Sequence, residues 1–373
     1  RPLVLRESVW SNGREAIKQE LDKYAKEYKA MFERQAPQAD QPKTMLPTDP
    51  KNIWMEGIGL IGLGANAKAA SIAGDLVVQN ARVRAIGEDA GGFRPISEKD
   101  LFDCEYWSLE QAKLGKGAPP KFQGKIVMIT GGSGTIGFAI AEAFSKLGAQ
   151  TILVDKDETA LKKAVTKLGV GHAYFPIDVT ETDAADQAML AAIQNFGGLD
   201  ILVSNAGAAH AGPMLSISND ELRNAFELNF FSHYSFSTEA AKILKNQNRG
   251  GQILFNISKQ AVNPGKNFGA YGLPKATTFF LMRQLALELG SDGIRVNGIN
   301  ADRIRSGLLT DDFISSRAKS RGVSETEYMA GNLLNKEVKA EHVANAFTSL
   351  ACAESTTGHV MTVDGGNIEA SLR

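Results

Sequence analysis

Apolar positions along this 373-residue chain change rhythm near Lys125. Before that point the repeat is helical and interrupted. Ile17, Leu21, Tyr24, Tyr28 and Met31 recur at alternating intervals of four and three, which predicts an amphipathic helix over 14–35. Four prolines across 36–52 predict a surface loop. Residues 53–64 are apolar and glycine-rich and read as one or two short strands. Asn66 stands where an N-cap would open a helix to about Ile86. Ser97 with Asp100 makes a capping-box pattern that opens another to about Leu114. GKGAPPKFQG at 115–124 reads as a linker.

Beyond Lys125, short runs buried on both faces alternate with longer helical stretches. IVMIT, TILVD, AYFPID, ILVSNAG, QILFNIS, IRVNGINA and HVMTVDGG are the expected strands. Such runs belong to a parallel sheet covered by helices on both sides. The expected fold class is therefore α/β, a doubly wound parallel sheet of Rossmann type over 121–373, with an N-terminal α+β segment over 1–120.

Composition narrows the function. The 41 basic and 42 acidic residues leave a net charge of −1, so nucleic acid is not an expected partner. Two cysteines, Cys104 and Cys352, cannot build a disulfide framework or a thiolate metal site, which fits a reducing, cytoplasmic setting. No apolar run reaches the roughly 18 residues that span a bilayer, so no membrane partner is expected. The chain opens at Arg1 without a Met or a charged-then-apolar leader, so no signal peptide and a piece of something longer are the expectations. All five histidines lie beyond residue 170, and no metal site is expected.

The candidate chemistry lies in two motifs. TGGSGTIG follows the first strand of the second region. Gly131 and Gly137 bracket a turn where backbone can approach a pyrophosphate at a helix N-terminus, with Ser133, Thr135 and Ile136 between them. A tight strand–helix turn needs glycine too, so the loop alone is weak. Asp155 ends the next strand, where a carboxylate can accept hydrogen bonds from a ribose; a helix N-cap in VDKDE is its other reading. The second motif is YGLPK, which puts Tyr271 and Lys275 on one helix face. Gly57, Gly59 and Gly62 also spell G-x-G-x-x-G. No acidic residue ends a strand at the right distance after them, so a structural turn is expected there.

Residues 121–373 resemble the short-chain dehydrogenase/reductase family through an ordered set of motifs. Asp178-Val179 matches the family's adenine contact, and Ser204-Asn205-Ala206-Gly207 its structural turn. Asn229 holds its helix asparagine position. Ser258, Tyr271 and Lys275 match the catalytic set, and Val363-Asp364-Gly365-Gly366 the terminal motif. YWSLEQAKL, NISKQAVNPG and NADRIRSGLLTDD further resemble the bacterial fusion of a rhamnulose-phosphate aldolase with a short-chain dehydrogenase. Residues 1–120 would then be the end of an aldolase-like domain plus linker. Class II aldolases hold their metal through histidines, and this segment has none.

The resemblance implies an NAD cofactor bound by Gly131, Ser133, Thr135, Ile136, Gly137, Asp155, Asp178, Val179, Asn205, Ala206, Gly207, Tyr271 and Lys275. It implies catalysis by Asn229, Ser258, Tyr271 and Lys275. A free tyrosine has a pKa near 10, and the Lys275 ammonium is expected to favour its phenolate. Ser258 would hydrogen-bond the substrate carbonyl, and Asn229 would hold a water that relays protons to Lys275. Three departures stand out. Thr135 replaces a fingerprint glycine, and Ala301-Asp302 replaces the usual Pro-Gly. Counting from NIS puts Lys259 in the serine position, whereas counting back from Tyr271 gives Ser258; Ser258 is chosen because lysine has no acceptor.

The implied substrate is a small hydroxylated alcohol or aldehyde, lactaldehyde-like within the fusion. A polyol phosphate is the enzymatic alternative, and a catalytically silent nucleotide-binding scaffold the non-enzymatic one. Segment 302–335 is the expected substrate cap. Its Arg303, Arg305, Arg317, Lys319 and Arg321 read either as phosphate ligands or, for the last three, as a solvated helix face. A homodimer or homotetramer is expected through helices over 218–246 and 270–290. These are crowded with Phe226, Phe230, Tyr234, Phe236, Phe279, Phe280, Met282 and Leu285.

Overall fold

The structure, a computed structural model, describes residues 1–111, 118–209, 211–307 and 309–367. It divides into two compact units, Arg1–Pro120 and Lys121–Arg373. Part of the expected linker, and the end of the helix expected to reach Leu114, lie outside the described residues.

In the first unit β1 (Leu3–Leu5) pairs in parallel with β2 (Asn52–Met55), which turns back antiparallel into β3 (Gly59–Gly62). A single turn, α1 (Glu7–Trp10), precedes α2 (Arg14–Gln35). The apolar stripe of α2 is split between two small cores. Tyr24 packs with Leu3 and Leu5, while Tyr28 and Met31 meet Phe102 and Tyr106. α3 (Ala67–Asp89) is capped by Asn66, whose side chain accepts from the Ala69 amide at 2.9 Å. A Cβ on Gly62 would overlap the Gly74 backbone of α3, and one on Gly64 that of Ala70. Gly62 and Gly64 let helix and strand touch, and Gly57 and Gly59 adopt φ of +75° and +141°, so packing and turn geometry account for the glycine pattern without a nucleotide. α4 (Glu98–Glu105) ends where Tyr106 turns inward to bond the Tyr28 hydroxyl at 2.8 Å, and α5 (Ser108–Gln111) follows as a separate turn.

The second unit is a seven-stranded parallel sheet in the order β10-β9-β8-β7-β4-β5-β6. Along the chain run β4 (Ile126–Thr130), α6 (Thr135–Lys146), β5 (Gln150–Asp155), α7 (Glu158–Leu168), β6 (Ala173–Pro176), α8 (Ala184–Phe196) and β7 (Ile201–Ser204). Next come α9 (Asn219–Phe226), a π-helical turn at Glu227–Phe231, α10 (Ser232–Gln247), β8 (Gly251–Asn256), α11 (Gly269–Leu289) and β9 (Ile294–Ala301). α12 (Asp311–Arg321), α13 (Glu325–Met329), α14 (Ala340–Cys352) and β10 (Val360–Val363) complete it.

Alternation along the strands divides the core in two. Val127, Ile129, Leu153, Val203 and Leu254 face Ile140, Phe144, Leu161 and Phe347 of α6, α7 and α14. Met128, Ile152, Leu202, Ile253 and Val296 face Met189, Phe236, Leu244 and Met282 of α8, α10 and α11. The sheet order reverses between β4 and β7, and the crevice beyond the carboxyl ends at such a point is where ligands bind in this architecture. Of the residues expected on a partner-facing surface, Phe236, Met282 and Leu285 are buried in this core; Tyr234 and Phe280 are exposed, as is Phe231.

Candidate active site

A cleft of about 1370 Å³ opens along the carboxyl ends of the strands. Its walls include Gly131, Thr135, Ile136, Gly137, Asp155, Asp178, Val179, Asn205, Ala206, Gly207, Ser258, Tyr271 and Lys275, so the structure brings most of the predicted site residues to one cavity. Ser133 and Asn229 do not line it.

The turn after β4 is shaped by contact. Gly131 has φ +62°, and a Cβ there would lie 3.0 Å from Ala206 Cα. A Cβ on Gly137 would overlap the Gly131 carbonyl oxygen. Both positions therefore require glycine, whereas Thr135 is simply the first residue of α6. The N-cap Gly134 supplies no side-chain acceptor, so the first amides of α6 stay open towards the cleft. Behind the turn, the Thr130 hydroxyl accepts from the Asn205 and Ala206 amides at 2.9 and 3.0 Å. Asn205 donates to the Thr130 carbonyl at 2.9 Å and accepts from Asn256 at 2.9 Å. Its side chain thus ties β4, β7 and β8 together at the cleft wall.

Asp155 ends β5 on the cleft wall. Its carboxylate accepts from the Ser133 hydroxyl at 2.6 Å and the Lys156 amide at 2.8 Å. Ser133 orients this carboxylate from behind, which explains its absence from the cavity. Asp157, not Asp155, caps α7, accepting from the Ala160 amide at 2.9 Å. Asp178 accepts from Thr180 and faces Lys156 at 3.7 Å. Partial burial works against its charge, but the Thr180 hydrogen bonds and then Lys156 prevail and hold its carboxyl below the ordinary value.

At the other end, Tyr271 and Lys275 sit one turn apart on α11, both buried. Ser258 caps the short turn after β8 and hydrogen-bonds the Tyr271 hydroxyl. Lys259 points elsewhere, pairing with Asp302 at 3.3 Å. Asp302 also faces Arg303 at 3.5 Å and accepts from Asn367. Two departures from the family pattern, at Lys259 and at Asp302, are thus partners of one another.

The electrostatics differ from the sequence expectation. Burial raises the Tyr271 hydroxyl above its ordinary value, and the Ser258 hydrogen bond offsets only part of that. Burial pushes Lys275 from 10.5 down to about 7, because no carboxylate stands beside it. The expected drop in the tyrosine's pKa is therefore absent: desolvation outweighs a lysine that is itself only partly charged near neutrality.

Lys275 Nζ donates to the Asn256 carbonyl at 3.1 Å and lies 3.3 Å from His233 Nε2. His233 Nδ1 lies 2.6 Å from Ser204 Oγ. Burial first, and Lys275 second, push His233 well below its ordinary value against a hydrogen bond to the Ala206 backbone, so the ring is neutral. With Lys275 donating to Nε2, the ring proton sits on Nδ1. Asn229 is buried, with its polar atoms engaged within the protein. Its side-chain nitrogen donates to the Ala208 and Ala225 carbonyls at 3.0 and 3.1 Å, its Oδ1 accepts from the Ala208 amide at 3.3 Å, and its backbone carbonyl accepts from the Thr278 hydroxyl at 2.7 Å. Sequence reading missed His233, Thr130 and Asn256. A histidine one helical turn after Asn229, on the same inward face, was the available signal for His233.

Comparison with known proteins agrees with this geometry. Residues 132–367 match the family described as enoyl-(acyl carrier protein) reductase, and residues 1–114 match the second domain of class II aldolase. The uncharacterized oxidoreductase YuxG of Bacillus subtilis (strain 168) is 32% identical over 94% of this chain and 52% of its own, so the chain spans about half that relative's length. Secoisolariciresinol dehydrogenase of Forsythia intermedia is 30% identical over 66% of this chain and 90% of its own. Among solved structures, 3-ketoacyl-(acyl-carrier-protein) reductase from Brucella melitensis, complexed with NADH, superposes with TM-score 0.58 at 26% identity, covering 65% of this chain and 98% of that one. L-sorbose reductase from Gluconobacter frateurii, complexed with NADPH and L-sorbose, gives TM-score 0.61 at 28% identity, covering 67% and 98%.

Proposed function

The chain belongs to the short-chain dehydrogenase/reductase family, and from that premise we propose that its second unit is an NAD-dependent oxidoreductase interconverting a small hydroxylated alcohol and its carbonyl form. The observation that carries the reading is one cavity holding both a glycine turn closed to any Cβ and a buried Ser258–Tyr271–Lys275 set.

The residues present fit a dinucleotide. Gly131 and Gly137 let the turn close tightly against Ala206 and onto itself at the start of α6, and Asp155 and Asp178 offer acceptors at the β5–β6 end. Asp155 favours a free ribose over a 2′-phosphate, which its charge would repel. When bound, the nicotinamide supplies or takes the hydride. The chain's residues handle the proton. In the reducing direction the Ser258 and Tyr271 hydroxyls hold the substrate carbonyl oxygen, and Tyr271 gives its proton to that oxygen as charge develops there. Its raised pKa keeps it a phenol, ready to donate, at neutral pH. Lys275, poised near 7, exchanges protons in the working range, and the neutral His233 ring holds it in place. In the oxidising direction the same groups take the proton away.

The resemblance to the aldolase fusion points to lactaldehyde as the type of substrate, and the L-sorbose bound to a structural relative supports a hydroxylated one. The test pairs NADH binding, followed by fluorescence, with turnover across small aldehydes, diols and sugar derivatives. Turnover that falls by about 10²–10⁴ in Tyr271→Phe while NADH binding persists supports the reading. NADH binding without turnover on any substrate would identify a silent nucleotide-binding domain instead.

A further inference from the structure

We infer that the substrate of this cleft carries an oxyanion, a phosphate or a carboxylate, held by Arg317 and Arg321 of α12. The inference rests on the oxidoreductase reading and departs from its lactaldehyde assignment, putting a hydroxylated substrate with an anionic group in that place. Both arginines line the same cavity as Ser258 and Tyr271. They stand one helical turn apart, on one face of α12.

Their surroundings separate them from the other basic residues of the segment. Arg303 is paired with Asp302, and Arg305 with Glu337 and Asp311. Glu327 is occupied by its Ser324 cap. Arg317 and Arg321 have no carboxylate partner among the described residues. Arg317 lies against two aromatic faces, with Cζ 5.1 Å from the Phe268 ring centroid and 5.5 Å from that of Phe313. Its Nε is buried without any hydrogen-bond partner. Arg321 Cζ stands 5.4 Å from the Tyr328 ring centroid.

A guanidinium stacked on rings keeps its in-plane N–H groups free, and these form a fork that fits two oxygens of a phosphate or carboxylate. A buried donor without an acceptor costs free energy, and a bound oxyanion removes that cost. The cleft's own carboxylates do not supply it. Asp155 and Asp178 engage Ser133, Lys156 and Thr180 beside β5 and β6, Asp302 is shared between two cations, and Glu227, at the start of the π turn, makes no ion pair with either arginine. A neutral substrate would leave Arg317 as it is.

The experiment uses the full chain and matched substrates. Sorbitol and glycerol form the neutral arm, sorbitol 6-phosphate and glycerol 3-phosphate the phosphate arm, and glycerate the carboxylate arm. The expected result is kcat/KM higher for one anionic arm by roughly 10²-fold or more, from two charge-assisted contacts. That ratio should fall about 10- to 100-fold in Arg317→Met and in Arg321→Met, and Arg317→Lys should recover part of it. The winning arm identifies the oxyanion. A second readout is independent of turnover. With NADH present and ionic strength held constant, inorganic phosphate should raise the Tm of the wild-type chain, and the rise should disappear in the double variant. Neutral substrates preferred, or a ratio untouched by the variants, overturns the inference while leaving the oxidoreductase reading intact. A rise in KM for NADH alone also overturns it, because the anion held would be the cofactor's. Should nothing in this panel turn over, the wider panel of aldehydes, diols and sugar derivatives decides the oxidoreductase reading, and the phosphate-dependent Tm decides the anion site.

Discussion

Replacing Lys275 by Met should make the folded protein less sensitive to pH between 7 and 9. The lysine is 2% exposed, with only a carbonyl and a neutral imidazole beside its ammonium. Burial takes it from 10.5 down to about 7 in the folded state. The unfolded chain therefore binds this proton more tightly than the folded one. Stability must rise with pH from about 7 towards 10.5, and the full penalty remains below the lower value. At roughly 1.4 kcal/mol per unit, that penalty is on the order of 5 kcal/mol at pH 6. Integrated between pH 7 and 9, the wild-type chain gains about 2 kcal/mol from this group. Met fills similar volume without a charge, so the variant lacks that gain. Tyr271 titrates above this window, and His233, depressed well below its ordinary value, exchanges protons below it. Urea unfolding of both proteins without cofactor at pH 6, 7, 8 and 9 gives the difference directly. A wild-type-minus-variant difference that stays flat within about 0.5 kcal/mol would refute a lysine held near neutrality and would mean the ammonium keeps its charge.

Other outcomes follow from the same geometry. Ser258→Ala should lower kcat by roughly 10² or more, while Lys259→Ala, which breaks only the pairing with Asp302, should act mainly on KM; steady-state kinetics reversing that order would make Lys259 the hydroxyl partner's rival. NAD should be favoured over NADP in kcat/KM, and Asp155→Ser should narrow the ratio; comparable values in the wild type would falsify the carboxylate's role. Gly137→Ala should weaken NADH binding at least about tenfold, because its methyl overlaps the Gly131 carbonyl; fluorescence titration reading an unchanged Kd would refute the close approach. Light scattering should find a dimer or tetramer, and Phe280→Glu should dissociate it if the exposed α11 face is the contact; a monomeric wild type ends that expectation.

Periodicity was enough for much of the sheet, because runs such as IVMIT and TILVD are buried on both faces and can hardly be anything else. Caps at Asn66 and Ser97 were equally legible, since a side-chain oxygen at that spacing acts locally. What stayed hidden depends on distant contacts. The helix predicted across 218–246 contains a π turn, which a repeat pattern averages away. The cleft gathered the expected Tyr271, Lys275 and Ser258, but not the direction of their proton affinities, which comes from burial that a sequence does not display. Arg303, Arg305, Arg317, Lys319 and Arg321 looked alike as letters. Only packing shows that two of them are stacked in the cleft without a counter-charge.

The tie among Thr130, Asn205 and Asn256 has a consequence for how such a chain can change its trade. It locks three neighbouring strands by hydrogen bonds that make no use of the segment over 302–335. The proposed acid–base set of Ser258, Tyr271 and Lys275 stands beside those strands and on α11, so its alignment would be inherited from the sheet. The segment that carries Arg317 and Arg321 would then be the part to vary, provided its ties to Lys259 through Asp302 and to Phe268 through Arg317 are kept. Directed libraries confined to that segment should yield new specificities while inheriting a working reaction centre, and the same division of labour would let natural selection move between substrates in small steps.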